Sequence, residues 1–221
     1  MTAPIHHPAQ PEDLPSAPML WAHGVLGAAI AAAAPERAGP SLFVLDAEGV
    51  MMDPEDGTWW RLAWIDEHTA VLTGNEPLGY RCQQYQGLVD KLAGAPDRLP
   101  LTRLRDLLDR TEGGHWEPSF LYWWIDGSWG RTEYPGDIDD GLCVVGSMGT
   151  PEGLLRYGCI GAPSPESVAE VLGAAATGAL TPASLEAFLA TCGVDDTAPA
   201  TALARQCGLT PDAPRPATGA G

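Results

Sequence analysis

Asp137, Asp139 and Asp140 stand within the stretch Pro135-Gly136-Asp137-Ile138-Asp139-Asp140-Gly141, and such clustered carboxylates are hard oxygen ligands suited to a divalent cation. The stretch matches part of a calcium loop, without the full twelve-residue pattern or its terminal glutamate. A solvated acidic turn is the commoner meaning of such a cluster. Asp53, Glu55 and Asp56, in Asp53-Pro54-Glu55-Asp56-Gly57, form a second acidic turn. If both turns lie at one end of a sheet, they make a negative patch fitted to a basic partner.

Other reactive types are dispersed. His23, His68 and His115 make no local pair at metal-ligand spacing. A metal-dependent hydrolase would therefore have to assemble the Asp137–Asp140 loop with His68 or His115 over a distance. Arg61 lies inside an apolar run, where a guanidinium needs a carboxylate, and Asp46, Asp126 or Glu133 are candidates. There is no Gly-x-Ser-x-Gly elbow, Walker loop or dinucleotide fingerprint. Gly146-Ser147-Met148-Gly149 is glycine-rich but lacks the lysine and helix signal of a phosphate cradle, leaving Ser147 as a bare hydroxyl. Trp129, Tyr80 and Tyr85 would line the pocket if the chain were a small-ligand module.

The elements that must position these groups are organised by tryptophan. Six of the eight tryptophans fall in Gly57–Asp66 and Phe120–Trp129. Both segments read as strands, with Trp60, Leu62 and Trp64 on one face and Trp59, Arg61, Ala63 and Ile65 on the other. The first face is the heavier and should meet a helix. Such aromatics on central strands are core rather than a stacking platform. Thr69–Thr73 should pair with the first segment, and Asp126-Gly127 should turn the second back into Trp129–Tyr134. Leu42–Leu45, Met51-Met52 and Leu142–Val145 read as further short strands.

Helices are expected over Pro18–Ala34, Leu88–Leu92 and Leu99–Arg110, the last with Leu101, Leu104, Leu107 and Leu108 on one stripe. Three more should follow Ser164, Thr181 and Ala198, with Gly193 and Gly208 as terminators. Strands that come in adjacent pairs argue for α+β: a mostly antiparallel sheet of two Trp-rich hairpins packed on helices, then a C-terminal run of short helices. The expected division is a disordered arm over 1–17, an α+β domain over 18–160, a helical segment over 161–208 and a disordered tail over 209–221.

Among 221 residues, 29 acids oppose 12 bases, for a net charge of −17. That balance repels nucleic acid and anionic membrane and favours a basic partner. Cys82, Cys143, Cys159, Cys192 and Cys207 are odd in number and lack a Cys-x-x-Cys pair, so a reducing cytoplasm is expected and neither a disulfide framework nor a zinc knuckle is. Cys192 and Cys207 read as small core residues at helix ends. Met19–Ala34 is apolar but too short for a bilayer and is interrupted by His23, Gly24 and Gly27, so no membrane span is expected. No cofactor is called for. The leading expectation is a cytosolic protein that binds a basic protein through Asp53, Asp56, Asp137, Asp139 and Asp140, as an immunity or antitoxin-type neutraliser would, with Arg61 and His68 as further binding residues. The metal-dependent hydrolase and the small-ligand module are the alternatives.

Overall fold

Trp60, Leu62 and Trp64, two residues apart, become the buried face of a strand in the computed structural model, which describes residues 10–38, 42–76, 90–109, 118–133, 140–157, 159, 161 and 163–214. Among these residues six strands follow one another: β1 (Phe43–Asp46), β2 (Gly49–Met52), β3 (Trp59–Asp66), β4 (Thr69–Asn75), β5 (Phe120–Ile125) and β6 (Ser128–Gly130). They form one antiparallel sheet in sequence order. The helices are α1 (Ala17–Ala33), α2 (Pro35–Ala38), α3 (Leu101–Asp109), α4 (Pro151–Tyr157), α5 (Pro165–Ala176), α6 (Pro182–Thr191) and α7 (Ala198–Gln206). The fold is α+β, as the pairing of adjacent strands required.

Period-two alternation gives the sheet two apolar faces, each with its own cover. Phe43, Val50, Met52, Trp60, Leu62, Trp64, Leu72, Phe120 and Tyr122 share a core with α1 and the helices after it. Val71, Leu121 and Trp123 on the opposite face pack with Leu92, Leu99 and Leu104, flanked by Leu101, Leu107 and Leu108 of α3. The leucine stripe of α3 therefore covers the second face, while the heavier tryptophan face meets α1.

Helix α1 is apolar all round, and from Leu20 to Ile30 every residue is buried, as expected of a helix enclosed on all sides. Gly24 and Gly27 form a notch on its sheet-facing side. A Cβ at Gly24 would lie 2.5 Å from Val50 Cγ2, and one at Gly27 would strike the Phe43 ring. The far side of α1 is gripped by the C-terminal helices, where Trp21 Nε1 donates to the Cys207 carbonyl at 2.9 Å. Two of those helices, α5 and α6, begin as capping chemistry dictates: Ser164 accepts from the Ser167 N–H, and Thr181 forms a reciprocal box with Ser184. Leu14, Leu209 and Thr210 are also buried.

Leu142–Val145 is a 3-10 turn rather than the strand its composition suggested. Gly141 and Gly146 bracket it in left-handed conformations, with φ of 85° and 54°, and the turn plugs the core against β3 and β4. A four-residue apolar run carries no periodicity that separates these outcomes. The expected helix at Leu88–Leu92 lies partly outside the described residues, and its last two residues belong to a turn over Lys91–Gly94. The strand after Asp126-Gly127 ends at Gly130, earlier than Tyr134, which lies outside the described residues. The turn itself has positive φ at both positions, 47° and 97°, and sets Ile125 opposite Ser128.

Candidate functional site

Strand register decides which of the candidate residues share a neighbourhood. The β2–β3 turn carries Asp53, Glu55 and Asp56, and the pairing of Trp59 with Asn75 puts it at the same sheet end as the exit of β4. There Asn75 Nδ2 donates to the Gly57 carbonyl at 3.1 Å, and Ser119 Oγ to the Gly74 carbonyl at 3.3 Å. Gly141 joins them, since a Cβ on it would lie 2.7 Å from Glu76 Cβ. Asp140 therefore arrives at the same end as Asp53 and Asp56. Asp137 and Asp139 lie outside the described residues.

The carboxylates at this end face different ways. Asp140 is 6% exposed and turned inward. Its Oδ2 accepts from the Tyr122 hydroxyl at 2.7 Å and from Arg131 Nη1 at 3.2 Å, and its Oδ1 from the Leu142 N–H at 3.0 Å. Arg131 also reaches Gln10 Oε1 at 3.1 Å and lies 5.7 Å from the centre of the Tyr122 ring. This closed arrangement spends the charge of Asp140 on fastening β5 to the segment after β6. Nothing in the sequence marks Arg131 beforehand, because its partner is fixed by tertiary contact alone.

Glu55 and Asp56, by contrast, are exposed. Asp53 Oδ1 accepts from the Glu55 N–H at 2.8 Å, and Asp56 Oδ1 from the Thr58 N–H at 2.9 Å and the Thr58 hydroxyl. Those bonds from Thr58 hold the Asp56 carboxyl below the usual carboxylate range. Glu55 adopts a left-handed φ of 63°, uncommon for a non-glycine residue.

His68 sits at the opposite end of the sheet, in the β3–β4 turn. Its side chain is 63% exposed, and Nε2 lies 3.1 Å from Glu67 Oε1. The sheet thus separates His68 from Asp140, and His115 lies outside the described residues. Among the described residues no group of three or more His, Cys, Asp and Glu side chains is placed to hold a metal ion.

Arg61 lies on the second face, with Nη1 2.8 Å from Asp46 Oδ1 and 3.0 Å from Glu48 Oε2. Of the three partners the sequence offered, Asp46 is the one used. Asp126 instead pairs with Arg98 at 2.8 Å, and Glu133 is exposed. Beside Arg61 a cleft of about 220 Å³ opens between the sheet and α3, lined by Glu48, Thr73, Arg103, Leu104 and Leu107 as well. Trp129 takes no part in it: its Nε1 donates to the Pro15 carbonyl at 2.7 Å and its ring packs 5.3 Å from that of Trp124. Tyr80 and Tyr85 lie outside the described residues.

The described part is therefore an α+β protein with a six-stranded meander, an exposed acidic turn at one sheet end and a mixed polar and apolar cleft under α3. Comparison with protein-family models, with curated proteins and with solved structures matched none of them to this chain. Among the described residues no helix is long and apolar enough to cross a membrane.

Proposed function

We propose that this chain acts by binding a basic protein, with the β2–β3 turn as the centre of the contact. The observation that carries this is the turn itself: Asp53, Glu55 and Asp56 stand together at one sheet end, with Glu55 and Asp56 exposed. The whole chain adds to it, since 29 acids against 12 bases leave a net charge of −17. Such a field speeds encounter with a positive surface and selects against nucleic acid. A cytosolic neutraliser of a basic toxin is the form of this function that the sequence favours.

The test is retention of a partner by the tagged full chain from a lysate of its own source. The expected result is a basic protein, released by salt and bound on the order of tenfold more weakly by the variant Asp53→Asn, Glu55→Gln, Asp56→Asn. Retention unaffected by those three changes, or retention of acidic proteins only, would sink the proposal.

The cleft under α3 supports a second reading, a small-ligand module for a short amphipathic molecule. Leu104 and Leu107 would take an apolar portion, and Thr73 with the polar rim of Glu48, Arg61 and Arg103 would orient the rest. Leu107→Trp should fill the cleft and abolish any quenching of tryptophan fluorescence found with a ligand panel. Quenching unchanged by that substitution would place the ligand elsewhere.

A further inference from the structure

Both signs of charge meet an apolar wall in the cleft between the sheet and α3. The Arg61 side chain is 15% exposed, and its Nη1 serves two carboxylates at once, Asp46 Oδ1 at 2.8 Å and Glu48 Oε2 at 3.0 Å. Its Nη2 donates to the Met51 thioether at 3.2 Å, and a thioether is a weak acceptor. A guanidinium carries five donors in a fixed fork, so among the described residues Arg61 keeps capacity for one more carboxylate. Arg103, in the first turn of α3, lines the same cleft, and Glu48 stands at its rim with a side chain 47% exposed. Val71 from the sheet and Leu104 and Leu107 from α3 supply apolar walls. A cleft so lined suits a ligand that has both signs of charge and one apolar arm.

We propose that this cleft binds a free α-amino acid with an aliphatic side chain the size of leucine, an inference that rests on the reading of the cleft as a ligand site. The spacing of the charges selects the class. Arg61 Nη1 and Glu48 Oε2 are 3.0 Å apart, and an α-amino acid carries its carboxylate and ammonium on one shared carbon, so both can be met at one place. The ligand carboxylate accepts from Arg61, with Arg103 adding positive charge from α3, and the ligand ammonium donates to Glu48. A carboxylic acid that lacks the ammonium would set its charge against Glu48, and an amine that lacks the carboxylate would face two guanidiniums. The low exposure of Arg61 strengthens the charged contact, because less water screens it. Volume then sets the side chain. The cavity measures about 220 Å³, and since benzene with its six carbons occupies a cavity of about 150 Å³, it admits about nine non-hydrogen atoms, the number in leucine or isoleucine.

Isothermal titration of the full chain near neutral pH with L-leucine, 4-methylpentanoate and 3-methylbutylamine compares three charge patterns on one carbon skeleton. Leucine is expected to bind, and each analogue to bind at least on the order of tenfold more weakly, because it lacks one charge-assisted contact. Glu48→Gln keeps the shape of the side chain and leaves Asp46 on Arg61, and it should weaken leucine to about the level of 4-methylpentanoate. L-tryptophan, too large for the volume, should not bind. The proposal is overturned if leucine does not bind, if 4-methylpentanoate binds the wild type as tightly as leucine, or if Glu48→Gln leaves leucine binding unchanged. In any of those cases a panel ligand still blocked by Leu107→Trp would keep the cleft as a ligand site, and the lack of one would remove that reading too.

Discussion

His23 shows how much a single buried side chain can decide. It is fully buried in α1, its Nδ1 accepts from the Gly149 N–H at 3.0 Å, and its ring lies 5.4 Å from that of Phe43. Its proton therefore sits on Nε2, a buried donor with no acceptor among the described residues. Burial lowers its pKa to about 3, so the folded chain keeps it neutral while the unfolded chain protonates it near pH 6.5. The unfolded state then binds more protons below that point, and stability falls with pH by up to about 1.4 kcal/mol per unit between roughly 6.5 and 3. Urea unfolding of the wild type and of His23→Gln at a series of pH values checks this. The difference between them should be flat above pH ~7 and grow below ~6; parallel curves would refute it. His23 was legible only as a polar interruption of an apolar helix, because its acceptor role depends on Gly149, 126 residues away. Arg61 was more legible: its partner Asp46 ends a strand two places away in the same meander, whereas Arg131 with Asp140 required the finished fold.

At the scale of elements the periodicities carried far. The two faces of β3, the leucine stripe of α3 and the buried character of α1 follow from spacing, because each pattern has one arrangement that hides it. The runs without a period, such as Leu142–Val145, were ambiguous for the same reason. What spacing could not supply was the use of Gly24 and Gly27, which looked like defects in an apolar run and are the notch that seats α1 on β1 and β2. Two substitutions separate these roles. Gly27→Ala gains helix propensity but drives a Cβ into Phe43, whose ring is hemmed in by His23 at 5.4 Å and Trp60 at 6.4 Å. Overpacking should win and cost about 1–3 kcal/mol. Gly173→Ala in α5, where a Cβ meets nothing within 4 Å, should instead gain about 0.5–1 kcal/mol. Chemical denaturation of both variants measures the contrast, and similar effects in the two would mean that the notch does not hold α1.

For the whole molecule the dominant quantity is the charge of −17, and it acts in opposite directions on folding and on binding. Self-repulsion opposes the compact state, while the pairs of Arg61 with Asp46 and Glu48 are short-range contacts and that of Arg131 with Asp140 is buried and weakly screened. Raising sodium chloride from about 0.01 M to about 0.1 M shortens the Debye length from about 30 Å to about 10 Å, which removes long-range repulsion before it touches contacts near 3 Å. The free chain should therefore melt higher by a few degrees over that range. If a basic protein binds at the Asp53–Asp56 turn, its affinity should fall over the same range, because there the long-range field is attractive. Thermal melts of the free chain and titrations of the complex across one salt series give both slopes. Opposite signs are the expected signature of a surface whose charge is kept for a partner at the expense of the fold; a free chain destabilised by salt would show instead that its own ion pairs outweigh its repulsion.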